Sequence, residues 1–113
     1  MFHKPPGDAR SAALREFIDL PVQARAKLHQ KMDKYSQGAA SAGRDYKLLR
    51  DGIYEIRVQV GNNPYRVLFF LDQDLPVVLR CFHKKDQKVS GSDIDLAMQR
   101  RASWSGRKEE GLA

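Results

Sequence analysis

The sequence predicts an α+β domain in which an N-terminal helical hairpin packs on one face of an antiparallel sheet of three or four strands, followed by a short C-terminal helix. Apolar residues recur at helical spacing before residue 38 and after residue 92, and alternate at every second position between them. The links between the alternating segments are too short for parallel crossovers, which predicts antiparallel strands. A length of 113 residues fits one domain, residues 1–113.

The N-terminal part predicts an irregular lead-in and two helices. A Pro-Pro-Gly stretch suits neither helix nor strand, so we expect the lead-in at residues 1–8. Helical periodicity follows over residues 9–37, and Pro21 divides it into two helices, because proline is tolerated in the first turn of a helix. The predicted apolar stripes are Leu14, Phe17 and Ile18 in the first helix and Leu28, Met32 and Tyr35 in the second.

The predicted sheet spans residues 46–82. Its clearest strands are IYEIRVQV at residues 53–60, YRVLFFL at 65–71 and VVLRCF at 77–82, separated by the turns GNNP and DQDLP. The last strand is apolar almost throughout, which predicts a central position. A terminal helix follows at residues 93–101 with Ile94, Ala97 and Met98 on one side, and we expect a frayed tail at 102–113.

Composition predicts a cytoplasmic protein with a polyanionic partner. The net charge is +6 and the pI about 9.7, which favours nucleic acid or an acidic protein. The N-terminus lacks the apolar core of a signal peptide, and no run is long enough to span a membrane. The single cysteine, Cys81, offers no disulfide framework and is expected in the core.

Strand parity predicts where part of this charge lies. If the helices cover the face bearing Ile56 and Val58, Arg57 points to the opposite, uncovered face. The next strand carries Arg66, and the third strand ends at Lys84 and Lys85, so three segments are expected to converge on one basic patch. The alternative is ordinary solvent-facing charge, with the lysines in a solvated loop.

Several short blocks carry a family resemblance. These blocks are LLRDGIYEIRV, YRVLFF, FHKKDQKV and DLAMQRR, together with LPVQARAKL, and the resemblance covers roughly residues 14–101. In this order they resemble the phage-derived branch of the RelE/HigB superfamily, the toxins of type II toxin–antitoxin systems. The resemblance implies a RelE/ParE-like fold and a metal-independent endoribonuclease that cuts mRNA, usually on the ribosome. It also implies an antitoxin, with a helix-turn-helix DNA-binding domain, encoded by an adjacent gene.

The resemblance implies catalytic roles for Arg57, Arg66, Lys84 and Lys85, which match the family's basic residues. RNA can be cleaved by attack of its own 2′-hydroxyl on the 3′-phosphate, and guanidinium groups suit the charge that develops there. For proton transfer, Lys84 or Lys85 could serve as base or acid, with Glu55 as an alternative base. His83 is a further candidate because of its intrinsic pKa, with a structural or merely exposed side chain as its alternative. The candidate RNA contacts are Lys47, Arg50, Lys88, Tyr54 and Tyr65, with core packing as the alternative for both tyrosines.

Three departures separate this chain from some relatives. Glu55 stands where some have a basic residue, the stretch 90–93 lacks a tyrosine that others stack on a base, and the lead-in does not suit the opening strand common in the family. No cluster has metal-ligand spacing, so we expect neither a metal nor another cofactor. The alternatives are a gyrase-poisoning ParE-like toxin and a non-catalytic module of the same fold that binds RNA or protein.

Overall fold

The computed structural model describes residues 12–83 and 91–109, with side chains as far as Trp104. The elements are α1 (Ala12–Ile18), α2 (Val22–Ser36), β1 (Lys47–Arg50), β2 (Ile53–Val60), β3 (Asn63–Asp72), β4 (Leu75–His83) and α3 (Gly91–Glu109). The strands form one antiparallel sheet in the order β1-β2-β3-β4. The predicted α+β class is confirmed, whereas the predicted lead-in and the question of an opening strand lie outside the described residues.

Tight hairpins fix the register of the sheet. Asp51 and Gly52 join β1 to β2, and both have positive φ (53° and 77°), as the two-residue turns that match strand twist require. Gln73 and Asp74 do the same between β3 and β4 (φ 53° and 67°). The predicted turns were too wide, since β3 already begins at Asn63 and β4 at Leu75. Because each loop is short, it fixes the register of the adjoining pairs, which shifts between Leu48 and Arg50 and again between Leu68 and Phe69.

The first core lies between α1, α2 and one face of the sheet. Leu28 of α2 is fully buried, and Met32 and Tyr35 pack beside it, so the predicted stripe of the second helix is confirmed. The stripe of α1 is rotated from its predicted position, because Ala13 is buried while Ile18 is 44% exposed. The sheet contributes Ile56, Val58, Tyr65, Val67, Phe69, Val78 and Cys81 to this core.

The opposite face of the sheet forms a second core beneath α3. Ala97 and Met98 of α3 pack there, together with Trp104, whose Nε1 donates to Asp72 Oδ2 at 2.8 Å. The expectation that all helices lie on one face was therefore wrong, as was a frayed tail from residue 102, since the helix continues to Glu109. The reason is a second apolar surface on the sheet: Ile53, Leu68, Phe70, Val77, Leu79 and Phe82.

In the sheet formed by the described residues, 12–83 and 91–109, strand β4 lies at an edge and not at the predicted central position. It is apolar almost throughout because it contributes to both cores, with Val78 and Cys81 on one side and Val77 and Leu79 on the other. Its edge is closed by α1, where Glu16 Oε1 accepts a hydrogen bond from the Cys81 amide at 3.1 Å. Burial raises the pKa of the Cys81 thiol, as expected for a packed, unreactive cysteine.

Candidate functional site

The β2–β3 hairpin places Arg57 and Arg66 directly opposite each other as register partners. Phe82 of β4 continues the same row, and all three lie on the side of the sheet that carries the second core. Helix α3 reaches toward the turns at the other end of this face, where Arg101 donates to the carbonyl of Asp51. Arg57 is exposed, whereas Arg66 is only 3% exposed.

Glu55 forms a buried ion pair with Arg66. It lies one row from the two arginines on the same face, opposite Leu68, and its Oε2 is 3.2 Å from Arg66 Nε. Each side chain is only 4% exposed. Removing either partner would leave a buried charge uncompensated, which is far more costly than losing a surface ion pair. Of the two arginines, Arg57 is therefore the one whose positive charge is accessible to a ligand.

A small cleft extends the site toward β1. It is lined by Gly43, Arg44, Asp45, Tyr46, Lys47, Glu55 and Arg57. Lys47 is the register partner of Glu55 and so lies on the face of Arg57. Within the described part of the chain, neither Lys47 nor Arg57 forms an ion pair. The cleft therefore brings together cationic groups that are available for an anion.

Asp45 anchors the loop at this cleft. Its Oδ2 accepts a hydrogen bond from the Ser41 amide at 2.8 Å and lies 3.2 Å from Lys34 Nζ. The Ser41 hydrogen bond, together with Lys34, lowers the pKa of the Asp45 carboxyl. The negative charge of the Asp45 carboxylate is thus already compensated by the Ser41 amide of the loop and by Lys34 of α2.

Two lysines of α2 reach the backbone of β2 beside Arg57. Lys31 Nζ donates to the Arg57 carbonyl at 3.1 Å, and Lys27 Nζ donates to the Gln59 carbonyl at 2.7 Å. The sequence showed these lysines on α2 but not what they contact. That contact depends on where β1 ends. β1 pairs with residues 53–55, and no other strand in the described part of the chain pairs with the rest of this β2 edge.

A charged cluster lies beside Phe82, at the β4 end of the row formed by Arg57, Arg66 and Phe82. Arg80 Nη1 donates to Glu16 Oε2 at 2.6 Å, and Arg100 Nη1 donates to Glu16 Oε1 at 2.8 Å. The Arg80 guanidinium also lies 3.4 Å from Asp93 and 5.0 Å above the centre of the Phe82 ring. Sequence reasoning missed this cluster, because its members are far apart in the chain and carry no local signal.

Four sequence-predicted residues lie away from Arg57. Tyr54 and Tyr65 belong to the first core, on the opposite face, where Tyr54 stacks on Phe69 with ring centres 5.4 Å apart. This position fits the packing alternative and not base stacking beside Arg57. His83 pairs with Tyr65 in the register, and the two rings lie 4.9 Å apart, so strand parity also turns His83 from Arg66. Arg50 lies at the turn end of β1 and binds Asp95 at 3.2 Å.

The predicted lysines Lys84, Lys85 and Lys88 fall outside the described residues. In the described ranges, 12–83 and 91–109, no group of three or more His, Cys, Asp or Glu side chains is arranged to hold a metal ion. None of the helices described there combines the length and the apolar character needed to cross a membrane.

Comparisons with known proteins agree with the resemblance found in the sequence. Residues 15–102 match the family described as Phage derived protein Gp49-like (DUF891). The chain is 39% identical over 103 residues to the Probable endoribonuclease HigB1 of Mycobacterium tuberculosis, in both strain CDC 1551 / Oshkosh and strain ATCC 25618 / H37Rv. The match covers 91% of this chain and 82% of each relative. The predicted resemblance to the HigB branch is therefore confirmed.

Proposed function

Because the chain belongs to the phage-derived Gp49-like family, we propose that it is the toxin of a type II toxin–antitoxin system and acts as an endoribonuclease. The single observation that carries the proposal is the pairing of Arg57 with Arg66 across β2 and β3, with Glu55 bound to Arg66. The exposed Arg57 guanidinium can stabilise negative charge, and the buried Glu55 carboxylate on the same face can accept a proton. These are the two tasks of internal RNA cleavage.

The proposed reaction begins with attack of the 2′-hydroxyl oxygen of RNA on the adjacent phosphorus. A new O–P bond forms, the bond to the 5′-oxygen breaks, and the products are a 2′,3′-cyclic phosphate and a 5′-hydroxyl end. Arg57 binds the non-bridging oxygens and stabilises the charge they gain in the transition state. Glu55 is proposed to remove the 2′ proton, while Arg66 fixes the position of the Glu55 carboxylate.

Further residues are proposed from the sequence. Lys84 and Lys85 follow β4, whose residue Phe82 shares a row with Arg66. We propose that the ammonium group of one of them donates a proton to the 5′-oxygen as its bond to phosphorus breaks. Lys47 and Lys88 are proposed to bind flanking phosphates. No metal or other cofactor enters this proposed reaction, and its substrate is mRNA held on the ribosome in the cytoplasm.

The same family assignment supports an antitoxin partner. We propose an antitoxin encoded by the adjacent gene, with a helix-turn-helix DNA-binding domain and an acidic segment that lies over Arg57. The net charge of +6 favours such a segment electrostatically. Binding at Arg57 would exclude RNA from the site and thereby neutralise the toxin.

The test is induced expression followed by mapping of mRNA 5′ ends. The unmodified protein is expected to arrest growth and to produce new 5′ ends within reading frames, whereas Arg57→Ala is expected to produce neither. Arg15→Ala removes an exposed arginine from α1 and serves as a charge-matched control that should retain cleavage. Since Arg57 is exposed, its loss should not impair folding.

The alternative functions predict other results. Growth arrest with DNA damage and intact mRNA would indicate a gyrase-poisoning toxin. Growth arrest without new 5′ ends or DNA damage would indicate a module that binds without cleaving. Either result would overturn the proposed endoribonuclease.

A further inference from the structure

We propose that the open edge of β2 is a binding track for the sugar–phosphate backbone of single-stranded RNA, formed by Lys27 and Lys31. The track lies beside the site bearing Arg57 and rests on the proposed endoribonuclease function. It would hold the nucleotides next to the cleaved one.

The track arises from the difference in length between two strands. β1 has 4 residues and pairs with residues 53–55, whereas β2 continues to Val60. Among residues 12–83 and 91–109, no strand pairs with β2 beyond residue 55 on this side, and the amines of α2 bind the carbonyls of Arg57 and Gln59 there. The partial negative charge of the carbonyls is compensated, so an edge that would otherwise repel phosphate becomes positive.

The carbonyl contacts also prepare the lysines for an anion. An ammonium group has three donors, and each lysine uses one of them on a carbonyl. A free lysine side chain loses rotamer entropy when it is fixed. Because these two are already held, they can offer their remaining donors to phosphate oxygens with a smaller entropy loss.

The spacing of the two lysines suits a nucleic-acid strand. The carbonyls they bind belong to residues two apart in β2, which places them about 6.6 Å from each other along the strand. This is close to the separation of successive phosphates in an extended single strand. Lys31 is bound to the backbone of the residue whose side chain is the exposed guanidinium, so the track is continuous with the cleavage site.

A plainer role explains only part of this arrangement. Lysines commonly blunt exposed strand edges against pairing with another chain. That role requires one donor for each carbonyl. It does not require that the lysines lie next to Arg57 or that they keep positive charge for a ligand. An acidic peptide is the other partner that such charge would attract, and the test below separates it from RNA.

The experiment compares Lys27→Gln/Lys31→Gln with the unmodified protein. Glutamine keeps an amide donor for the edge carbonyls but removes the charge. Affinity for a single-stranded oligoribonucleotide with methylated 2′ oxygens, which cannot be cleaved, is measured over a series of salt concentrations. Each phosphate contact contributes about −0.7 to the slope of log affinity against log salt, so losing two contacts should reduce the slope by about 1.4.

Arg101→Gln is the matched control. Arg101 also donates to a backbone carbonyl, that of Asp51, but at the turn end of the sheet. For the Arg101→Gln variant, the slope of log RNA affinity against log salt should equal that of the unmodified protein. Thermal unfolding of all variants should be unchanged within error, which shows that the sheet edge is intact.

The outcomes separate the track from the proposed function. An unchanged slope in the double variant, or no RNA binding by the unmodified protein at low salt, overturns the track even if mRNA cleavage in cells is observed. A reduced slope without any cleavage in cells supports the track and removes the nuclease proposal. If the double variant loses affinity for the antitoxin while its RNA slope is unchanged, the edge is a protein-docking site instead.

Discussion

The two edges of the sheet hold positive charge in different ways. At the β4 edge, Arg80 and Arg100 both donate to the carboxylate of Glu16. At the β2 edge, Lys27 and Lys31 donate to uncharged backbone carbonyls. With Asp93, which lies 3.4 Å from Arg80, the first edge has two carboxylates for its two arginines and links α1, β4 and α3. The second edge keeps its net positive charge.

The difference shows that the partner of a cation, more than its type, indicates its role. An arginine bound to a buried carboxylate contributes mainly to packing and specificity of the fold. A cation with only a neutral partner keeps the full attraction for an external anion. Both kinds add equally to the net charge of +6, so composition alone cannot distinguish them.

The largest expected effect is at the open edge. We expect Arg57→Ala to lower the rate of RNA cleavage by about 10²–10³-fold, because one positioned donor to the transition state is lost. The free energy of unfolding should change by less than about 0.5 kcal/mol, since Arg57 is exposed. Cleavage assays and urea unfolding of the same preparation check both statements. A large loss of stability would contradict the contrast between the edges.

The next effect is at the closed edge. We expect Glu16→Gln to lower the free energy of unfolding by about 2–3 kcal/mol, because Arg80 and Arg100 lose their shared carboxylate at a partly buried position. Urea unfolding measures it, and Asp19→Asn, an exposed carboxylate in the chain just after α1, is the control. A change as small as that of the control would mean that the β4 edge is not held by this cluster.

A smaller effect is expected where α3 meets the β3–β4 turn. Trp104→Phe keeps an aromatic ring in the second core but removes the Nε1 donor to Asp72. We expect a loss of about 1 kcal/mol in unfolding free energy, with RNA cleavage per folded molecule unchanged. Thermal unfolding and a cleavage assay test this, and a tryptophan that contributes nothing would argue against the extended helix.

The smallest effect concerns Asp45, which anchors the loop at the cleft beside Arg57. The pKa of Asp45 is lowered below its ordinary value of 3.8 in the folded state, so its charge stabilises the protein fully above that value. As the pH falls through the lowered pKa, this contribution is lost. The unmodified protein should therefore be more stable than Asp45→Asn at neutral pH, and the difference should vanish in acid. Thermal unfolding of both proteins in a pH series tests the sign.

The periodic elements could be predicted because local patterns determine them. The alternation in IYEIRVQV and the stripe of Leu28, Met32 and Tyr35 gave β2 and α2 almost to the residue. The register that pairs Arg57 with Arg66 did not follow from the predicted turn. A turn over GNNP, residues 61–64, would pair Val60 with Tyr65, whereas β3 begins at Asn63, which pairs with Val60.

What the sequence could not show were features that depend on the whole fold. The apolar pattern of β4 was ambiguous, because a strand between two cores at an edge looks the same as a central strand. The extension of α3 places Trp104 where its Nε1 donates to Asp72, a residue 32 positions earlier in the chain. The burial of Glu55 with Arg66 and the contacts of Lys31 likewise depend on elements distant in the chain.

The short length of β1 sets two demands of this molecule against each other. Continuing β1 backward by a few residues would add ladder hydrogen bonds to the Arg57 and Gln59 backbone, and so would yield a sturdier sheet. The same change would push both α2 amines off the carbonyls they occupy. Beginning β1 at Lys47 thus gives up ladder hydrogen bonds and leaves the two α2 amines on their carbonyls.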